Sequence, residues 1–163
     1  MKRLLIVWHS RTGAARAMAQ AAALGAGGEA GVEVRMLAAD DAGPDDLLAA
    51  DGYLFAAPEN LAGLSGEMKA FFDRCYYPVL ERLNGRPYAA LIAAGSDGTG
   101  AARQLARIAT GWRLKPIAEP FILNTHAQTA EAILAAKTVD AAALRPCEEL
   151  GAAMAAGLAM GVF

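Results

Sequence analysis

The chain has 163 residues, a formal net charge of −2 and only two cysteines, Cys75 and Cys147. This length predicts one domain, residues 1–163, with a substantial core and no room for a second cofactor-binding domain. The small charge and the absence of a long basic run argue against nucleic acid or an anionic membrane surface as the main partner. We therefore expect a small-molecule ligand that is bound in a pocket.

Short apolar runs alternate with stretches of helical composition along the chain. The apolar runs predict five strands, at Leu4 to Trp8, Val32 to Leu37, Tyr53 to Ala57, Tyr88 to Ala94 and Pro116 to Leu123. The stretches between them predict helices, at Ala14 to Leu24, Pro44 to Ala50, Ser65 to Leu83, Gly100 to Thr110 and from about Asp140 onward. This alternation predicts an α/β three-layer sandwich with a parallel sheet in the order 2-1-3-4-5. In that order the ligand lies beyond the carboxyl ends of strands one and three.

Glycines mark the expected ends of three helices. Left-handed C-caps are expected within Gly25 to Gly28, at Asn84-Gly85 and at Gly111. Further along, Gly151 to Phe163 is almost wholly apolar, and a helix that is apolar on all sides must be covered by something. Burial against the sheet and contact with a second subunit both remain open for this segment.

The sequence predicts neither export nor insertion into a membrane. Lys2 and Arg3 precede only five apolar residues, fewer than the ~7–15 of a signal-peptide core, and no stretch reaches the ~20 of a membrane helix. Cys75 and Cys147 lack the paired spacing of a zinc site or a redox motif. Free thiols in a reducing compartment are the simplest interpretation, so we expect a soluble cytoplasmic protein without a bound metal.

The first predicted strand breaks into hydroxyls and a glycine where an alanine-rich helix begins, at Ser10-Arg11-Thr12-Gly13-Ala14-Ala15. This is the layout of a phosphate-binding turn. Gly13 allows close approach, the hydroxyls and Arg11 offer donors and charge, and the helix N-terminus offers free N–H groups. Simple helix capping by Ser10 or Thr12 explains the same residues equally well. The glycine spacing of dinucleotide sites and the Gly-Lys-Ser/Thr ending of nucleotide-triphosphatase loops are both missing.

Two further loops follow the third and fourth predicted strands. The loop at Pro58 to Gly63 offers small residues and backbone amides, which suit the edge of a flat heteroaromatic ring, and Ser65 is a candidate N-cap for the next helix. The loop at Gly95 to Gly100 carries three glycines that allow close approach to a ring or a phosphate. A flexible strand-to-helix turn with Thr99 as N-cap is the alternative interpretation of this second loop.

Ser10-x-Thr12-Gly13, the stretch that ends Lys69-x-Phe71-Phe72-Asp73-Arg74, and the glycine-rich loop at Gly95 to Gly100 together resemble the flavodoxin-like superfamily. Within it, the chain is similar to the NAD(P)H-dependent FMN reductase and quinone reductase branch more than to a small electron-carrier flavodoxin. The resemblance covers roughly Lys2 to Leu123. It implies a flavodoxin-like sandwich, FMN as cofactor and NAD(P)H as co-substrate.

The resemblance also implies which residues hold FMN. Its phosphate would be held by Ser10, Arg11, Thr12, Gly13, Ala14 and Ala15. One side of its isoalloxazine would be bordered by Pro58, Glu59, Asn60, Leu61, Ala62 and Gly63. The other side would be bordered by Gly95, Ser96, Asp97 and Gly98.

Two positions depart from the family pattern. Gly13-Ala14-Ala15 stands where the family often has Gly-Asn-Thr, so one or two side-chain donors are lost and backbone amides must compensate. Leu61 stands where the reductase branch commonly has an aromatic residue, which leaves the stacking arrangement and the acceptor open.

By the resemblance, electrons pass from NAD(P)H through FMN to a quinone, free flavin or similar acceptor, in a homodimer or homotetramer. A flavodoxin-type electron carrier is the first alternative, although −2 is a small charge for docking on basic redox partners. A protein that has kept the fold and lost the flavin is the second. No catalytic side chain is assigned. His9 is expected to be structural, and His126 is a candidate to face the site of a neighbouring subunit.

Overall fold

A computed structural model describes all residues from Met1 to Phe163 and contains one twisted sheet. Its strands are β1 (Lys2–Trp8), β2 (Val32–Ala38), β3 (Gly52–Asn60), β4 (Gly63–Leu64), β5 (Pro87–Ala94), β6 (Lys115–Pro116) and β7 (Phe121–Asn124). The order is β2-β1-β3-β5, with β6 and β7 both paired to the free edge of β5. All of these pairs are parallel, and only β4 runs antiparallel, against β3. The predicted doubly wound order is confirmed.

The last position of the sheet differs from its prediction. Pro116 to Leu123 is not one strand, because Lys115–Pro116 and Phe121–Asn124 form separate short strands. The ladder breaks after Pro116, and residues 117–120 lie outside the strands. Neither Pro116 nor Pro120 has an N–H to donate to a neighbouring strand. At the carboxyl end of β5 the sheet edge is therefore made by β7 alone, which pairs with the last four residues of β5.

The sheet is flanked by α1 (Ala14–Ala26), α2 (Pro44–Ala49), α3 (Gly66–Cys75), α4 (Thr99–Gly111), α5 (Ala130–Leu134) and α6 (Ala141–Met160). Five of these helices are at the predicted places, and α5 was not predicted. The prediction that α3 continues to Leu83 is wrong, because the helix ends at Cys75. Pro78 explains the early end, since its ring disfavours helical backbone at the preceding residue.

The predicted left-handed caps at two helix ends are also wrong. Gly27 caps α1 with right-handed backbone at φ −65°. Gly111 is still part of α4, and the left-handed residue that follows is Arg113 at φ 56°. Gly85 does have positive φ, 79°, although it lies well beyond the end of α3. The glycines near the end of α1 therefore do not form a left-handed cap, and one of them serves another purpose.

That purpose is the close approach of α1 and α6. A Cβ on Gly25, inside α1, would lie 1.9 Å from the carbonyl oxygen of Glu148. A Cβ on Gly151, in α6, would lie 1.9 Å from the carbonyl oxygen of Ala22. The two backbones are thus in contact at a crossing that only glycine permits.

The apolar segment from Gly151 to Phe163 is buried on one face only. Gly151, Met154, Ala155 and Leu158 are buried, and the last three pack in the layer formed with α1 and the sheet. Met160, Val162 and Phe163 are exposed. Burial within the chain thus accounts for the inner face, and none of the helices combines the length and apolar character that crossing a membrane requires.

Candidate functional site

A cavity of about 510 Å³ opens at the carboxyl ends of β1, β3 and β5. This volume lies within the range of about 300–1,000 Å³ that is typical of small-molecule sites. The position is the one that the topology predicts, where the crossovers from β1 and from β3 leave the sheet in opposite directions. The predicted site residues that line it are Ser10, Arg11, Thr12, Ala14, Ala15, Pro58, Glu59, Asn60, Leu61, Ala62, Gly95 and Ser96.

Four predicted site residues do not line the cavity. Gly13 and Gly98 are the left-handed N-caps of α1 and α4, at φ 112° and 90°. Gly63 pairs with Asn60 in the ladder between β3 and β4. The carboxylate of Asp97 accepts hydrogen bonds from the N–H and the hydroxyl of Thr99. These four residues shape the loops around the cavity from behind.

The turn after β1 places the N-terminus of α1 at one end of the cavity. The Gly13 N–H donates to the Ser10 hydroxyl oxygen at 3.0 Å, which closes the turn. The first N–H of α1 to reach an i−4 carbonyl is that of Ala17, which donates to Gly13. The N–H groups of Ala14 and Ala15 precede it and remain available to an anion, because the first turn of a helix has no internal acceptors.

The segment after β3 is a hairpin rather than an open loop. The strand continues past Pro58 to Asn60, and Leu61 and Ala62 then turn the chain with φ of 52° and 67°. Two consecutive left-handed residues make the tight hairpin turn that usually carries Asn-Gly, so this turn is strained. Its tip projects the fully exposed Leu61 side chain at the edge of the cavity.

The hairpin is fastened to the start of α4. The Glu59 carboxylate accepts the Gly98 N–H at 2.9 Å with one oxygen and the Ala101 N–H at 2.9 Å with the other. A Cβ on Gly100 would lie 2.1 Å from the carbonyl oxygen of Ala62, so the turn rests directly on the helix backbone. Glu59 therefore neutralises the N-terminus of α4, and that helix end is not an open anion site.

Small residues form the floor of the cavity, where β5 ends. Ala93, Ala94 and Gly95 line it, and a Cβ on Gly95 would lie 2.7 Å from the carbonyl oxygen of Ala127. The Gln128 amide donates to the Gly95 carbonyl at 2.6 Å, and the Asn124 amide donates to the Ser96 carbonyl at 2.7 Å. The chain after β7 thereby holds the glycine-rich loop in place. Thr99 is not the N-cap of α4, since Gly98 occupies that position.

One wall of the cavity was missed from the sequence. Thr125, Ala127, Ile133, Leu134 and Lys137 line it, and most of them belong to α5 or its flanks. A usable signal existed, because the stretch between Leu123 and Asp140 is longer than most loops in compact domains. Thr129 also caps α5 by accepting the Ala132 N–H, a pattern typical of a helix start.

His9 is built into the structure rather than aimed at the cavity. Its Nδ1 lies 2.8 Å from the Ser65 hydroxyl, and its Nε2 lies 3.6 Å from a Glu67 carboxylate oxygen. Ser65 occupies the N-cap position of α3, but its hydroxyl contacts His9 instead of capping the helix. Because Ser65 is completely buried, this Ser-His-Glu arrangement has no accessible nucleophile. His126 does not line the cavity either.

The two cysteines are buried thiols on opposite faces of the sheet. Burial raises the pKa of Cys75 to about 11 and the pKa of Cys147 to about 12. Both thiols therefore stay protonated and unreactive near neutral pH. No group of three or more His, Cys, Asp or Glu side chains is arranged to hold a metal ion.

The doubly wound sheet with its cavity over β1, β3 and β5 is the architecture of a flavodoxin-like protein. Solved structures share it. A flavodoxin from the domain Archaea superposes with a TM-score of 0.78 at 18% identity, over 96% of this chain and 98% of that one. The flavodoxin, WrbA-like protein from Agrobacterium tumefaciens superposes with a TM-score of 0.77 at 18% identity, over 99% of each chain.

Residues 45–129 match the family model of the NADPH-dependent FMN reductases, so the chain belongs to that family. The matched region includes the hairpin and the glycine-rich loop, but not the turn at Ser10 to Ala15. A flavodoxin from Aquifex aeolicus is 34% identical, over 61% of this chain and 54% of that protein. An NAD(P)H dehydrogenase (quinone) from Acidithiobacillus ferrooxidans is 32% identical, over 45% and 47%. The chain spans about half the length of the curated relatives it matches.

Proposed function

We propose that the protein is an FMN-dependent oxidoreductase that passes electrons from NAD(P)H to a quinone, a free flavin or a similar acceptor. The observation that carries the proposal is the cavity at the carboxyl ends of β1, β3 and β5. All three loops that sequence analysis assigned to FMN contribute to it. The family match and the quinone-dehydrogenase relative support the reaction class.

The chemistry of the lining fits FMN at both ends. At one end, two hydroxyls and the first-turn N–H groups of α1 offer donors to a phosphate, from Ser10, Thr12, Ala14 and Ala15. At the other end, the floor at Ala93 to Gly95 has no side chain beyond Cβ, so a flat ring can lie close to the backbone. The polar groups at one end thus suit the charged phosphate of FMN, and the small apolar groups at the other end suit its planar ring.

In the proposed reaction the side chains bind and position rather than transfer protons. Bound FMN supplies the capacity to accept and return electron pairs. Glu59, the one carboxylate in the lining, is held by the N–H groups of Gly98, which caps α4, and of Ala101 in its first turn. Apolar side chains border the open side of the cavity: Leu61 at the hairpin tip, and Ile133 and Leu134 in the wall. A planar acceptor would enter between them.

An electron carrier is the second candidate, and the flavodoxin relative supports it. A carrier needs a docking face for a protein partner, commonly of strong and opposite charge. The chain has a net charge of only −2. The enzyme is therefore preferred, and its assembly as a homodimer or homotetramer is part of the proposal, to be measured by light scattering after gel filtration.

The experiment that tests the proposal is an FMN titration of the purified apo-protein, followed by flavin fluorescence. NADH or NADPH is then added to the bound form without oxygen. Saturable binding and rapid bleaching of the flavin absorbance support the reductase. Binding without bleaching supports the carrier, and no saturable binding overturns both.

A further inference from the structure

Lys137 lies directly against the turn at Ser10 to Gly13, although it is far away in sequence. Its backbone N–H donates to the Thr12 carbonyl at 2.7 Å. Its Nζ lies 3.3 Å from the Thr12 hydroxyl oxygen and donates to the carbonyls of Ile133 and Ala135 at 2.9 and 2.6 Å. The side chain lines the cavity at the same end as the N-terminus of α1.

The charge of this ammonium group is not balanced within the protein. The ion pairs of the chain join other residues, and no carboxylate lies within 4.0 Å of Nζ. The nearby N-terminus of α1 is also a positive pole. Backbone carbonyls and a hydroxyl accept hydrogen bonds from Nζ but carry no net charge, so this end of the cavity, with two positive groups, favours an anionic ligand.

We propose that Lys137 is a ligand of the FMN phosphate. This inference rests on the proposed function, because it concerns the same cavity. The third Nζ donor, which makes the long 3.3 Å contact with the Thr12 hydroxyl, would turn to the phosphate and supply a charge-assisted hydrogen bond. That bond compensates for the donors that Ala14 and Ala15 lack. The phosphate is thus held from two sides, by the turn before α1 and by the segment between α5 and α6.

A purely structural role makes a different prediction. Two of the three Nζ donors satisfy carbonyls at the end of α5, so Lys137 also fastens the wall that carries Ile133 and Leu134. Loss of that contact alone would disturb the ring end of the cavity as much as the phosphate end. Riboflavin separates the two roles, because it has the ring of FMN and no phosphate.

The test compares FMN and riboflavin binding by wild type, Lys137→Met and Lys137→Arg, with Lys115→Met as a matched control on the exposed strand β6. Lys137→Met should weaken FMN binding roughly ten- to a hundredfold and leave riboflavin binding unchanged. Lys137→Arg should recover much of the FMN affinity, and Lys115→Met should bind both as wild type does. Thermal melting of each variant verifies that it is folded.

Three outcomes overturn the inference. Unchanged FMN binding by Lys137→Met would show that Lys137 does not contact the phosphate. Equal weakening of FMN and riboflavin binding would assign Lys137 a structural role. Both leave the proposed function standing. Absence of FMN binding by the wild type overturns the inference and the proposed function together.

Discussion

The carboxylate of Glu59 accepts the backbone N–H of Gly98 at 2.9 Å and so joins the hairpin after β3 to the loop after β5. Its second oxygen accepts the N–H of Ala101 at the same distance. One side chain thereby fixes the spacing of two of the three loops around the cavity. The positive end of the α4 dipole strengthens both bonds.

We expect Glu59→Gln to lower both stability and flavin affinity. The amide keeps one acceptor oxygen, but its NH₂ group faces an N–H that it cannot accept. One bond to a charged group is lost, which costs about 1–3 kcal/mol of unfolding free energy. Urea unfolding and FMN titration measure the two effects, with the exposed Glu149→Gln as control. Wild-type stability in Glu59→Gln would contradict this role.

Gly13 offers a test of the turn before α1 through a pair of substitutions. Its φ of 112° strains any side chain, so Gly13→Ala and Gly13→Asp should each lose about 1–3 kcal/mol of unfolding free energy. Only the aspartate adds a negative charge beside the turn that is proposed to hold the phosphate. FMN binding should therefore be abolished in Gly13→Asp and retained, although weaker, in Gly13→Ala. Equal FMN affinity in the two variants would refute a phosphate site here.

The crossing of α1 and α6 predicts an unusually large effect of adding a methyl group. Gly25→Ala and Gly151→Ala each place Cβ 1.9 Å from a backbone oxygen, which cannot move without shifting its helix. We expect a loss of about 2–4 kcal/mol from such overpacking, measured by urea unfolding. Gly66→Ala, in α3, is the control. It has no atom within 4 Å of the new Cβ and should be neutral or slightly stabilising. Equal effects at the three positions would refute close contact.

Stability should fall at alkaline pH because of the buried thiols. The pKa of Cys147 is raised from about 9 to about 12, and the pKa of Cys75 from about 9 to about 11. Above about pH 9 and up to these raised pKa values, the unfolded chain releases thiol protons that the folded chain keeps. The free energy of unfolding therefore decreases as pH rises through this window. Below about pH 9 the contribution is fully present.

Cys147→Ala isolates part of this dependence. Its absolute stability also changes because a buried group is removed, so the comparison uses the slope of unfolding free energy against pH. That slope should be shallower than in wild type between about pH 9 and 11. Buried Tyr53, whose pKa is raised to about 12, contributes to both proteins and leaves a residual slope. An identical slope would show that Cys147 ionises normally in the folded state.

The parts of the fold that follow from local sequence were predictable. The strands β1, β2, β3 and β5 are apolar runs, and their order follows from right-handed crossovers. The early end of α3 was also readable, because Pro78 disfavours helix at the residue before it. The hairpin after β3 could not be predicted, because Leu61-Ala62 lacks the Asn-Gly pattern that marks a two-residue turn.

The features that could not be predicted from the sequence depend on contacts between segments that are distant in the chain. Gly25 looked like a helix terminator, and only the position of Glu148 reveals that it permits a helix crossing. Lys137 lies outside any motif, and only the fold brings it to Thr12. For the same reason Asp97 and Gly98 resembled ligand contacts, whereas Asp97 bonds to Thr99 and Gly98 caps α4.

The glycine crossing has a consequence for how tightly a cofactor is retained. Gly13 precedes α1 and Lys137 precedes α6 by a few residues, so the two sides of the proposed phosphate site are carried by the helices that touch at Gly25 and Gly151. A change in the distance between these helices alters the gap between turn and lysine. If the proposed site holds FMN, a mutation at the helix crossing, far from the cofactor, would therefore weaken its retention.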